Sequence, residues 1–284
     1  MFGTVAVPDD PQRVVALGWS DAEIALQLGV KPIAVIDWQD FGTPGVGAWA
    51  VGLFEGKEPL LLDRAAPSIE QIAALAPDLI LNVRSAGDAD QYSLLSQIAP
   101  TVFAETLTAA FNISWQDQVR QVARALNKSS EGEALVAELE GEIAGVRKAH
   151  PEFSGKRLVV GTKFGDGYGA YVPGDARMDL LAAFGFAPLP ALSDLPASGF
   201  YVALSSERTD LLEADILVMF PIHTSLDQLQ SDPLIAGLDV VRSGRAILLD
   251  PSDTLTQAFS AGSPLAIRFV LKNLVPMLAR VAAQ

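Results

Sequence analysis

The sequence contains no cysteine and only two histidines, His150 and His223. The first absence excludes a disulfide framework, a Cys-ligated zinc and a thiol nucleophile, and it leaves the compartment open. With two histidines a catalytic zinc would rest mostly on carboxylates, an unusual donor set. Positive charge is scarce as well: 20 Lys and Arg stand against 34 Asp and Glu, a net charge of −14. Neutralising phosphates needs a basic surface, so this balance argues against a nucleic-acid partner. A small anionic ligand is not excluded, since a few local cations can serve one.

Long apolar runs are also lacking. None reaches the roughly 18 uninterrupted residues that suit a membrane span. Pro264–Ala283 comes nearest, but Arg268, Lys272 and Arg280 interrupt it, and it reads as a docked terminal helix. Residues 1–10 lack the basic and then apolar stretch of a secretory leader, so Met1 is either the native start or stands where a leader has been removed. Enzyme signatures are missing too. There is no Gly-x-Ser-x-Gly elbow. The segment Gly165-Asp-Gly-Tyr-Gly lacks both the G-x-G-x-x-G spacing and a Gly-Lys-Ser/Thr sequence.

What is present is a regular alternation. Half of the 284 residues are hydrophobic, enough for one large domain or two lobes with substantial cores. Short apolar runs at Arg13–Leu17, Pro32–Ile36, Asp78–Val83, Thr101–Ala104, Arg157–Thr162, Asp215–Phe220 and Arg245–Leu249 read as strands. Helical patterns lie between them: Ser20-Asp-Ala-Glu23 reads as a capping box, with Gly29 just past the helix end. Ile69–Ala76, Ser114–Leu126, Asp175–Phe184 and Ser206–Ala214 read as further helices, and Pro276 divides or kinks the last one. Buried strands alternating with helices predict an α/β fold with mainly parallel sheets covered on both faces.

Ser129–His150 stands apart. It carries a single apolar stripe of Leu135, Leu139, Ile143 and Val146. Its acids crowd the first two-thirds, and Arg147 and Lys148 sit in its last turns, the order that complements a helix dipole. It is either an ordinary amphipathic surface helix or a rigid connector. A connector implies lobes at 1–127 and 153–284 joined by residues 128–152. Two segments on either side of it echo each other. Ser68-x-Glu70 with Leu75 and Asp78 matches Ser205-x-Glu207 with Leu212 and Asp215 at identical spacing, and each copy then enters a strand. Two lobes of similar topology account for this. Glu70 and Glu207 either merely favour their helix N-termini or form a matched pair of docking points for a basic partner.

The run Pro-Gln-Arg13-Val-Val-Ala-Leu17, then Asp21-Ala-Glu23 through Gly29-Val-Lys-Pro32, then Pro67-Ser-Ile-Glu70 through Pro77-Asp78-Leu-Ile-Leu81, and finally Ser263-Pro-Leu-Ala-Ile-Arg268, resembles the iron-siderophore and vitamin B12 substrate-binding proteins of ABC importers. The resemblance spans about Asp10 to Leu278, and Pro67–Leu81 is its most specific part. It implies two Rossmann-like lobes joined by one long rigid helix, with a ligand in the cleft between them. It further implies that Glu70 and Glu207, one per lobe, pair with arginines of the membrane permease. The family is usually exported and often lipid-anchored through an N-terminal cysteine. This chain shows neither leader nor cysteine, so a periplasmic or cell-surface location rests on the resemblance.

Ligands of open α/β sheets sit beyond the carboxyl ends of the strands. The candidates after the predicted strands are Trp19, Trp38, Trp49, Arg84 and Tyr92 in the first half, and Lys163, Tyr168, Tyr171, Phe200, Tyr201, Phe220 and His223 in the second. The glycines around Tyr168 and Tyr171 read as an exposed loop. Trp115 shares the apolar face of its helix and is assigned to the core, and His150 is a dipole partner ending the charged helix. Aromatic walls with a few cations fit a ferric siderophore, which is bulky, partly apolar and often anionic. The iron would travel inside its ligand, so no metal site, cofactor or catalytic residue is expected. Cobalamin and haem are the alternatives, haem with His223 or Tyr171 as axial ligand. The expected partners are the siderophore and the permease. The chain itself is expected to be a monomer, attached to a membrane only through a lipid anchor that it lacks, and to change little in shape on binding because a stiff helix limits lobe motion.

Overall fold

The computed structural model describes residues 2–64, 67–107 and 109–284. The chain forms two compact units, one of Met1–Leu139 with Ala261–Ile267, the other of Glu140–Ser260 with Arg268–Gln284.

In the first unit five strands, β1 (Val14–Ala16), β2 (Ala34–Ile36), β3 (Leu60–Leu62), β4 (Leu79–Asn82) and β5 (Thr101–Phe103), form an all-parallel sheet of order β3-β2-β1-β4-β5. Four helices accompany them: α1 (Asp21–Gln27), α2 (Ile69–Ala74), α3 (Ala89–Leu95) and α4 (Trp115–Ala125). The pleat explains the apolar runs. Leu79 and Leu81 of β4 join one core with Val119 and Val122 of α4, while Ile80 points the other way and joins Ile72 and Leu95. A strand covered on both faces has no polar side to alternate with. Trp115 is half-buried against the first of these cores. Sequence reasoning missed β3, whose three leucines form a run too short to stand out even after the turn residues Gly56 and Pro59.

Two expectations for helix starts are corrected. Ser20 does not cap α1. Its φ of 64° is left-handed rather than extended, and its hydroxyl donates to the Ala261 carbonyl at 2.9 Å. Glu23, the supposed box partner, is buried and bound elsewhere. By contrast Ser68, Asp88 and Ser114 cap α2, α3 and α4 as their types prescribe. Gly29, with φ of 81°, follows α1 as expected.

The long helix α5 (Ser129–Ala149) begins in the first unit and ends in the second. Leu135, Leu139 and Ile143 are buried, joined by Val136. His150 stacks on Phe153 at 4.8 Å and its Nδ1 lies 2.8 Å from Glu152.

The second unit holds β6 (Arg157–Phe164), β7 (Gly167–Tyr171), α6 (Ala176–Phe184), β8 (Ala187–Pro188), α7 (Pro190–Ser193), β9 (Tyr201–Leu204), β10 (Ile216–Ile222), α8 (Leu226–Gln230), α9 (Pro233–Ala236), α10 (Asp239–Arg242) and β11 (Ala246–Leu248). The order is β11-β10-β6-β7-β9, with β8 also against β6. β8, β10 and β11 run parallel to their neighbours, and β7 and β9 antiparallel. The glycine-rich segment is therefore not an exposed loop. It folds back as a hairpin, turning at Gly165 with φ of 56°, and Tyr168 and Tyr171 are buried on β7. Tyr201 likewise starts a strand. Residues 206–212, expected to be α-helical, form a 3₁₀ helix broken at Arg208. The chain ends in α11 (Thr254–Ala261), α12 (Pro264–Asn273) and α13 (Val275–Ala282), the last two divided ahead of Pro276.

Candidate functional site

In the first unit the chain leaves β1 through Leu17 and Gly18. A Cβ on Gly18 would lie 2.1 Å from an Asp21 carboxylate oxygen. Glycine therefore lets Asp21 fold back to accept the Val83 amide at 2.7 Å and the Gln118 side-chain amide at 2.7 Å. The same Gln118 donates to the Trp19 carbonyl, and the Trp19 amide donates to the Arg84 carbonyl. Trp19 is thus held by backbone contacts on both sides. Its half-buried ring lies between Trp38, at 4.7 Å and 15°, and Phe111, at 4.0 Å and 20°. Phe41 meets Trp38 edge-on and Trp49 edge-on, extending the row. Trp49 donates its indole N–H to Glu23 at 2.7 Å.

Arg84 stands beside this row, its guanidinium 5.8 Å from the Trp19 ring. It is buried rather than projecting, and donates to the Ala261 carbonyl at 2.7 Å and the Phe111 carbonyl at 3.3 Å. Two buried acids share its surroundings. Burial pushes the Asp21 carboxyl up to about 6, against the opposing effect of its hydrogen bonds from Gln118 and Val83 and of the Arg84 charge. Burial likewise raises Glu23, which accepts from Ser263, Trp49 and the Gly47 amide. Tyr92 is not part of this group. It sits on α3, stacked on Phe2 at 4.6 Å and edge-on to Phe103.

The second unit gathers another aromatic group. Tyr171 lies 6.4 Å from Phe200, 5.7 Å from Tyr201 and 6.0 Å from Phe220. Gly169 makes room for Tyr201, since a Cβ there would fall 2.0 Å from the Tyr201 hydroxyl. Arg177, which sequence reasoning missed, lies 3.7 Å over the Tyr171 ring. It sits in the first turn of α6, where a cation opposes the helix dipole. That misplacement was the available signal. Asp175 compensates by binding the guanidinium at 2.8 and 2.7 Å while also capping the helix. Burial works against the Arg177 charge, but Asp175 and Tyr171 outweigh it and raise its pKa.

Lys163 does not project as an open cation. Its ammonium pairs with Asp232, which also accepts the Tyr168 hydroxyl at 2.6 Å. Burial opposes the Lys163 charge, but hydrogen bonds to Asp232 and Tyr168 hold its pKa above the ordinary value. His223 is exposed with φ of 56°, its ring 5.2 Å from the exposed Phe164. Of the sequence candidates, Trp19, Trp38, Trp49, Tyr171, Phe200, Tyr201 and Phe220 fall into two clusters, which also take in Phe41, Phe111 and Arg177, three residues not singled out from the sequence. Glu70 and Glu207 are exposed, each early in its helix. Among the described residues no group of three or more His, Asp or Glu is poised to hold a metal, and no helix is long and apolar enough to cross a membrane.

A doubly wound parallel sheet in one unit, a mixed sheet in the other and aromatic clusters near strand ends define a ligand-binding protein. The chain belongs to the periplasmic binding protein family, whose model matches residues 14–252. It is a substrate-binding protein of the iron-siderophore and vitamin B12 class of ABC importers, and not an enzyme. It is 26% identical to the Fe(3+)-citrate-binding protein of Bacillus subtilis over 263 residues, covering 90% of this chain and 78% of that one. A periplasmic solute binding protein from Mycobacterium smegmatis superposes with a TM-score of 0.87 at 35% identity, over 99% and 96% of the two chains. A Streptococcus pneumoniae protein solved in complex with ferrichrome shares the fold, with a TM-score of 0.83 at 22% identity over 99% and 97%.

Proposed function

We propose that this protein captures a ferric siderophore and delivers it to the permease of an ABC importer. The observation that carries the proposal is the Trp38–Trp19–Phe111 stack beside Arg84, at the carboxyl end of a parallel sheet. The stacked rings are held rigid by one another, so the aromatic edges they leave open meet a bulky ligand at low entropic cost. The group around Tyr171 and Arg177 offers a second aromatic surface within the other unit. The relative named for binding ferric citrate supports an iron complex as the cargo.

On this proposal the iron arrives already coordinated, so the protein supplies contact surface and no metal ligands. Lobes at 1–127 and 153–284 act as the two binding halves, with 128–152 as the connector. Trp19, Trp38, Trp49, Arg84, Tyr171, Phe200, Tyr201 and Phe220 contact the ligand. Tyr92, Lys163, Tyr168 and His223 have weaker support, being engaged elsewhere or remote from the stacks. Glu70 and Glu207 dock on permease arginines. The protein works as a monomer outside the cytoplasmic membrane, in the periplasm or at the cell surface, tethered by a lipid anchor on its precursor.

The test is calorimetry, with tryptophan fluorescence as a second readout, against ferric hydroxamate, catecholate and carboxylate siderophores, cobalamin and haem. Saturable sub-micromolar binding of one siderophore is the expected result. Binding of cobalamin or haem alone would keep the importer role and replace the cargo. Binding of none of these would end the proposal.

A further inference from the structure

Three segments far apart in sequence meet at one buried carboxylate of the first unit. Glu23, in the first turn of α1, is 1% exposed. It accepts the Gly47 amide at 3.2 Å, the Trp49 indole N–H at 2.7 Å and the Ser263 hydroxyl. None of these donors belongs to its own helix. Gly47 is required for space, since a Cβ there would fall 2.1 Å from the Trp49 ring. The indole thus folds back over its own loop, and Glu23 holds that fold by both its backbone and its ring. Ser263 in turn accepts the Ala266 amide at 3.2 Å and caps α12. One side chain therefore fixes the last indole of the aromatic row and the start of α12 together.

Both oxygens of Glu23 serve as acceptors, Oε1 for Gly47 and Oε2 for Trp49 and Ser263. An ionised carboxylate satisfies this arrangement. A proton on Oε2 would face two donors. The Ser263 hydroxyl can reverse its role, but an indole N–H only donates, so the Trp49 bond is the one weakened. Burial raises the Glu23 pKa and brings that protonation closer to neutral pH. Arg84 is the charge that opposes the rise, and Asp21 is the other acid of α1. Residues 45–50 and 261–263, which pack on Glu23, carry no titratable side chain.

We infer that Glu23 is a positioning residue for cargo capture, one that holds Trp49 in its binding orientation and ties it to the start of α12 through Ser263. It touches no cargo itself and acts through the indole. The inference rests on the function proposed above, in which the row ending at Trp49 meets the cargo.

The experiment pairs calorimetry on the whole protein with the indole N–H resonances of isotope-labelled protein, from about pH 5 to 8. Ferrichrome, ferric dicitrate and a ferric tris-catecholate are the probes, and Trp49→Phe identifies the Trp49 signal. Glu23→Gln keeps the size of the side chain and removes its charge. It should shift the Trp49 resonance and weaken binding of whichever probe the wild type takes by about fivefold at the upper end of the range. Trp49→Phe should also weaken binding, and adding Glu23→Gln to it should cost less than about a further twofold, because the acid acts through the ring. In the wild type the Trp49 resonance should titrate, and affinity relative to Trp49→Phe should fall toward acid. Asp21→Asn should retain that titration and Glu23→Gln should abolish it. Native affinity in a folded Glu23→Gln, or a Trp49 signal that neither the variant nor pH moves, overturns the inference and leaves the siderophore function standing. So does a full further loss in the double variant. If Glu23→Gln does not fold, the titration of the wild-type signal and affinity decides. Failure of every ferric complex to bind the wild type removes the proposed function, and the inference with it.

Discussion

Asp215 does for Arg157 what Asp78 does for Arg13. Each aspartate immediately precedes a buried strand, and each accepts the backbone amide of the arginine that leads into the parallel neighbour, at 2.8 Å for Asp215 and 2.9 Å for Asp78. Asp78 also accepts the Gln12 amide, and Asp215 also binds the Arg157 guanidinium. The repeated Ser-x-Glu segments therefore end in the same device, a carboxylate that sets the register of two strands.

Replacing either aspartate with alanine should cost about 1–3 kcal/mol, since at least two donors lose their partner. Urea denaturation of Asp78→Ala and Asp215→Ala checks this, and a loss near zero would deny them the register role. The Arg157 hydrogen bond holds the Asp215 pKa below its ordinary value. Its contribution is complete above the unfolded pKa near 3.8 and is lost as pH falls through the lower folded value.

Asp21 gives the opposite sign. Burial raises its pKa from 3.8 to about 6, so the folded state binds a proton more readily than the unfolded one. Its penalty is absent below about pH 4 and fully developed above about pH 6, on the order of 3 kcal/mol for a shift of this size. Stability measured from pH 4 to 6.5 should fall with a slope that Asp21→Asn reduces, the remainder coming from groups such as Glu23 whose pKa burial also raises. An identical slope in the variant would locate the titration elsewhere.

Trp19→Ala removes the centre of the three-ring stack. Ligand affinity should fall by about 1–2 kcal/mol, roughly 5- to 30-fold, beyond any change in stability. Calorimetry on the folded variant reads this directly, and unchanged affinity would remove Trp19 from the binding surface.

Gly169→Ala forces a methyl onto the Tyr201 ring. The expected cost is about 1–3 kcal/mol from overpacking, visible as a lowered melting temperature. Tyr201→Ala in the same chain should restore most of it. Without that rescue, the strain lies somewhere other than this contact.

Glu70→Ala and Glu207→Ala should leave ligand affinity unchanged and reduce uptake in cells, most strongly when combined. Both carboxylates are exposed and lie on elements that carry none of the clustered rings, Glu70 on α2 and Glu207 on the 3₁₀ helix. Loss of ligand binding in either purified variant would contradict the docking role.

Much of the fold was legible because its signals are local. β4 announces itself as four apolar-rich residues covered on both faces, and α4 as a stripe that includes Val119 and Val122. Ser68 and Ser114 cap their helices as their sequence context predicts. Residues 206–212 departed from the expected α-helix although the matching first segment obeyed it. Ser205 makes no capping hydrogen bond there, whereas Ser68 does. The aromatic candidates were legible one by one, from their places after predicted strands. Their grouping was not, because Phe111 reaches Trp19 from a segment more than 90 positions away.

The sequence by itself determined the alternation of strands and helices, the presence of one long charged helix, and the surplus of acid that leaves few cations. These follow from periodicity and composition, which neighbouring residues set. Only the tertiary structure decided what those cations do. Ser20 gives up its cap for a carbonyl 241 positions away, Lys163 finds Asp232 across 69, and the glycine-rich segment becomes a strand because β6 and β9 flank it. Burial and charge pairing depend on which distant groups share a place, and no local pattern carries that.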